Sequence, residues 1–100
     1  MIYLTQLIYI KEEQEDVFNK FESVAIPIIA KYNGRLLLRI RTSDDDIITK
    51  SIDTPHEIHL VEFQSESDFE NFKSDKDRNK FLHLKERSIK SMLLIKGIQI

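Results

Sequence analysis

Four stretches of this chain are apolar on both of their alternating sides, although 100 residues leave room for only one layer of helices beside a sheet. Reading Ile2 to Ile10, Arg35 to Thr42, His56 to Phe63 and Met92 to Lys96 as strands, with amphipathic helical stretches between them, gives the order β-α-β-β-α-β. Two helices cover one face of such a sheet. The other face needs a second cover, most economically another copy of the chain. The predicted unit is a homodimer formed through the bare sheet face, each copy a single domain over residues 1–100.

The local signals support this order. The first helix is predicted from Glu12 to Tyr32, with Val17, Phe18, Phe21, Val24, Ala25, Ile28, Ile29 and Tyr32 recurring at spacings of three and four. Glu12, Glu13, Glu15 and Asp16 place negative charge at the positive end of its dipole. Pro27 removes one backbone bond, yet the apolar stripe runs through it in register, so a kink is expected and the stop falls at Asn33-Gly34. Strand two is read with Leu36, Leu38 and Ile40 on one side and Leu37, Arg39 and Arg41 on the other. Ser43 to Pro55, with Asp44, Asp45 and Asp46 in succession, reads as a solvated loop of poor order. Ser65 with Asp68 and Ser74 with Asp77 repeat the spacing of an N-terminal capping box, so the second helical region divides into a short piece and a longer one burying Phe81, Leu82, Leu84 and Ile89. Right-handed crossovers place strand three between strands one and two and both helices on one side of an antiparallel sheet, a ferredoxin-like α+β arrangement.

Composition narrows the function classes. Fifteen basic against seventeen acidic residues give a net charge of −2 with no block of Lys or Arg, which disfavours nucleic acid. Cysteine is absent, so thiolate chemistry and Cys-ligated metals are excluded and a reducing cytoplasm is the expected setting. Met1 to Ile10 has no basic leader and is too short to span a bilayer; it reads as a strand. His56 and His59 fall on opposite sides of a strand, so no joint metal site is expected, and with glycine only at 34 and 97 there is no phosphate loop. Neither a metal nor an organic cofactor is implied.

The same element order occurs in RNA-recognition modules, which makes RNA binding the remote alternative. Strand one resembles the shorter RNA-recognition motif, but strand three keeps only Val61 and Phe63 of the longer one, and Ile58 and Leu60 offer no ring for a base. With Val61 and Phe63 facing the helices, Glu57 and His59 lie there too, beside Ile2, Leu4, Gln6 and Ile8. The opposite face carries Tyr3, Thr5, Leu7, Tyr9, Ile58 and Leu60, a set suited to a protein partner.

The run Phe21-x-x-x-Ala25-x-Pro27-x-x-x-Lys31-Tyr32-Asn33-Gly34-Arg35, then Arg39, Val61-Glu62-Phe63-x-Ser65, Phe72 near Ser74, Arg87 and a closing Leu94-Ile95-Lys96-Gly97 resembles the domain-of-unknown-function family thirteen-thirty, of the dimeric α+β barrel superfamily. Asn33 replaces the first of the family's two glycines and also tolerates positive φ. The resemblance implies the dimeric barrel fold, in a superfamily that includes cofactor-free monooxygenases and muconolactone isomerase-like proteins.

The candidate chemistry lies in polar residues within strands. Arg39, as anchor, and His59, as acid or base, are the candidate catalytic pair; Arg39, Gln6 and Arg87 are the candidate ligand contacts for a small anionic or carbonyl-bearing molecule between sheet and helices. Against this stands a non-catalytic interaction or structural dimer in which Arg39 and Arg41 pair with Glu57 or Glu62 and His59 is a hydrogen-bonded sheet residue. The two separate on whether a cavity of roughly 300 Å³ opens beside Arg39 and His59.

Overall fold

The computed structural model describes residues 1–100 as a four-stranded antiparallel sheet with all helices on one face. The elements are β1 (Ile2–Ile10), α1 (Glu15–Ile29), β2 (Gly34–Arg41), β3 (Glu57–Phe63), α2 (Glu66–Lys73), α3 (Lys76–Asn79), α4 (Leu82–Ser88) and β4 (Ile89–Gly97). Strand order is β2-β3-β1-β4. The result is a slab of 36 × 36 × 16 Å, one sheet and one helical layer thick.

Alternation decides what is buried. Along β1 only Leu4 and Ile8 are fully enclosed, and their neighbours across the ladder, Val61 and Glu57, face the same helices. Phe63, Phe69 and Phe72 complete one core cluster with Leu4, Ile29 and Val61; Phe21, Ala25 and Leu84 form a second between α1 and α4. The opposite face is bare: Leu38, Ile40, Leu93 and Ile95 each expose 41–52% of their surface.

Helix α1 runs through Pro27 as the stripe predicts, and Pro27 lies on its exposed side, where losing one backbone hydrogen bond costs least. A 3-10 turn over Ala30–Tyr32 then ends at Asn33, whose φ of 59° is the left-handed stop. Gly34 must be glycine for a different reason: a Cβ there would sit 2.6 Å from Phe63 and 2.7 Å from Ile29.

Several boundaries differ from expectation. Glu12 and Glu13 lie outside α1, since Glu13 adopts φ 62° in the turn after Lys11, leaving Glu15 and Asp16 in the first helical turn. The second helical region has three pieces. Ser65 caps α2 as predicted, accepting from the Asp68 amide at 3.1 Å, whereas α3 is capped by Asp75 in place of Ser74. Asp75 also receives Tyr32 Oη at 2.6 Å and Lys31 Nζ at 3.0 Å, and its charge makes it the stronger acceptor. Ile89 opens β4, which pairs with β1 along most of its length. Strand β3 begins at Glu57, so His56 is free of the alternation and its ring meets Phe18 of α1 edge-on at 5.6 Å. The 43–55 connection is mostly solvated, as expected, but it carries its own 3-10 turn at Asp44–Asp46 and is tied by Tyr9 Oη to the Asp53 carbonyl at 2.8 Å, more local order than the sequence suggests.

The largest departure is in β2. Its register against β3 shifts between Leu36 and Leu38, so Leu36 opposes Val61 while Leu38 opposes Leu60 and Arg39 opposes His59. Strict alternation would separate Leu36 from Arg39. A bulge at Leu37 puts Leu36, Arg39 and Arg41 together on the helix-facing side.

Candidate functional site

The bulge delivers both arginines to one carboxylate. Glu57, 2% exposed, receives Arg39 Nε at 2.7 Å and Nη2 at 3.2 Å, Arg41 Nη2 at 2.6 Å and His59 Nε2 at 2.8 Å. Burial opposes ionisation here, but the bonds from Arg39, His59 and Arg41 outweigh it and hold the Glu57 pKa at about 2. Glu57 is an anion throughout the physiological range. His59 is itself 3% exposed, and burial lowers its pKa below the ordinary value despite the nearby carboxylate. A neutral imidazole donating Nε2–H to Glu57 keeps its lone pair on Nδ1, so Glu57 sets both the tautomer and the ring's orientation.

Where the two core clusters fail to meet, a cavity of about 50 Å³ remains between sheet and helices. Its apolar wall includes Phe21, Ile26, Val61, Phe63 and Phe72. Its polar lining is Gln6 from β1, His59 from β3, Glu22 from α1, Arg78 from α3 and Lys85 from α4. Glu22 is 7% exposed, and burial raises its pKa to about 7, with Arg39, Arg78 and Lys85 pulling the other way only as charges at a distance. Arg78 stacks on Phe72 at 5.1 Å and Phe21 at 5.7 Å and donates Nη1 to the Lys73 carbonyl, while its buried Nε has no partner. Burial lowers the pKa values of both Arg78 and Lys85.

Of the residues singled out from sequence, Gln6 and His59 reach this cavity. Arg39 does not; its guanidinium fork is closed on Glu57, and the space beside it is filled by that pairing. Arg87 is exposed on α4 and stands apart from the lining, its place taken by Lys85. Glu22, Arg78 and Lys85 were not anticipated. The available signal for Glu22 was an acidic residue interrupting the apolar stripe, four after Phe18 and three before Ala25.

The arrangement supplies a carboxyl poised near neutrality on the helix wall, an imidazole lone pair on the sheet wall, and two cations at the side. That is equipment for exchanging protons with a very small guest.

The chain matches no protein-family model and no curated protein. Among solved structures it is similar to a protein of unknown function from Rhodopseudomonas palustris, with TM-score 0.83 and 10% identity over 99% of this chain and 82% of that one. It is also similar to an uncharacterised NIPSNAP domain protein from Burkholderia xenovorans (TM-score 0.71, 12% identity, 100% of this chain and 95% of that one). A DABB family protein with a ferredoxin-like fold from Mesorhizobium loti gives TM-score 0.70 and 16% identity, covering 99% and 96% of the two chains. At such identities the likeness establishes the fold, which is ferredoxin-like α+β.

Proposed function

We propose that this chain is a cytoplasmic homodimer of the α+β barrel type that binds a small anionic or carbonyl-bearing molecule in the sheet–helix cavity and moves a proton on it, as a cofactor-free isomerase does. One observation carries the reading: Glu22 and His59, both buried, line a common cavity, the Glu22 carboxyl with no hydrogen-bond partner and His59 with only its Nε2 engaged, by Glu57. His59 is the proton acceptor, oriented by Glu57, and Glu22 the donor. Arg39 and Arg41 are positioning residues that hold Glu57, and Gln6 offers an amide to the guest. A volume of about 50 Å³ accommodates roughly four waters, so the guest has only a handful of non-hydrogen atoms.

The dimer reading is supported by the bare sheet face, where Leu38, Ile40, Leu93 and Ile95 remain 41–52% exposed and lie together on one surface. It agrees with the sequence resemblance to the domain-of-unknown-function family thirteen-thirty. The test of the chemistry is deuterium exchange at carbons beside the carbonyl of acetone and pyruvate, followed by proton NMR. The wild-type protein is expected to accelerate exchange over buffer, and Glu22→Gln and His59→Ala to abolish the acceleration. Exchange no faster than in buffer would favour the second reading, a non-catalytic structural dimer, to which the cavity's small size already lends weight, lying well below the ~300 Å³ of ordinary ligand pockets.

A further inference from the structure

Arg78 and Lys85 are the part of the cavity that the proton-transfer reading does not use. Their placement is unusual. Each lines an enclosed, largely apolar space, neither is closed in an ion pair, and the Arg78 Nε–H is buried without an acceptor. The guanidinium lies over the Phe21 and Phe72 rings and gives Nη1 to the Lys73 carbonyl, while its Nε–H is the buried donor left without an acceptor. Glu22 attracts both cations without bonding to either, and the other carboxylates they feel, Asp75 for Arg78 and Glu86 for Lys85, likewise form no side-chain ion pair with them. The walls therefore present two positive charges and an unused N–H to a space too small for a large ligand, with an unpartnered carboxyl beside them.

We propose that the cavity selects a small carboxylate, held by Arg78 Nε and Lys85 Nζ, and that Glu22 takes up a proton as this anion enters. The proposal rests on the cavity-binding reading above and names its ligand class. Its physical basis is charge balance. A carboxylate between Arg78 and Lys85 supplies the anion those cations lack, whereas an ionised Glu22 alongside would repel it. The groups facing Glu22 from the surrounding elements are Arg39 and Glu57 on the sheet, Arg78 on α3 and Lys85 on α4. Glu57 is already neutralised by three donors, so Glu22 is the carboxyl that must give way. The proton it gains is the one it then has to donate.

Acetate and its neutral isostere acetamide test this by NMR titration of the intact protein. Acetate is expected to bind about tenfold or more tightly than acetamide near pH 6, and its affinity to fall about tenfold for each pH unit above ~7, the range in which Glu22 loses its proton. In Glu22→Gln the acetate affinity should keep its low-pH value and lose this dependence. Lys85→Met and Arg78→Met should each lose acetate binding while retaining the wild-type amide spectrum; Lys85→Met serves as the check if Arg78→Met, deprived of its stacking, fails to fold. Equal binding of acetate and acetamide overturns the carboxylate assignment and leaves the cavity reading standing. Binding of neither, in a folded protein near pH 6, overturns both.

Discussion

Two buried carboxyls of one type behave oppositely, and the difference lies in what surrounds each. Glu57 has three donors and an acid pKa; Glu22 has none bonded to it and a pKa of about 7. For Glu57, depressed from 4.5 to about 2, the stabilisation is present above pH 4.5 and lost as pH falls through about 2. Glu57→Gln should flatten that acid limb and, by leaving Arg39, Arg41 and His59 unpaired, cost about 3 kcal/mol in urea unfolding at neutral pH. For Glu22, raised from 4.5 to about 7, the favourable state is the protonated one, so its contribution is whole below pH 4.5 and declines as pH rises through about 7. Glu22→Gln should therefore stabilise the protein by about 2–3 kcal/mol at pH 8 and change it little at pH 4.5, read from thermal melts at the two pH values. A substitution that stabilises while abolishing proton transfer is the signature of a residue retained for function.

At the level of elements, the bulge in β2 does most to shape the site. Deleting Leu37 would remove the extra residue while leaving Leu36 opposite Val61 and Arg39 opposite His59, so both arginines should stay on Glu57; inserting an alanine after Leu38 instead would carry them to the outer face and strand Glu57, with an expected loss of at least ~3 kcal/mol in urea unfolding. The α1–β2 junction is equally specific. Gly34→Ala should destabilise by about 1–3 kcal/mol through overlap with Phe63 and Ile29, whereas Asn33→Gly, at φ 59°, should be close to neutral; chemical denaturation of both separates packing from backbone freedom. The strands, the helix stop and the Ser65 cap were legible from sequence because each depends on neighbours within a few residues. The bulge was not, because three consecutive leucines, Leu36, Leu37 and Leu38, satisfy either phase of a strand and only pairing with β3 selects one. The capping residue of α3 escaped for a like reason: Ser74 and Asp75 both suit the position, and the choice fell to Asp75 through Tyr32 and Lys31, more than forty residues away.

The whole molecule is a sheet covered once, with apolar side chains such as Leu38 and Leu93 about half exposed on its other side. Leu38→Asp and Leu60→Glu should convert the proposed dimer to a monomer in sedimentation equilibrium while the Glu57 cluster, on the far side of the sheet, stays intact; a wild-type chain that sediments only as a monomer at micromolar concentration would remove the dimer from the account. The sequence by itself determined the strand order, the two-layer α+β architecture and which sheet face is bare, because periodicity and crossover handedness are properties of short runs of chain. Only the tertiary structure decided the site. It closed Arg39 on Glu57, left Arg87 in solvent, and assembled Glu22, Arg78 and Lys85 from three separate helices around His59. A residue's place on its own helix follows from the local period, but the gap into which several helices jointly point exists only once they have packed.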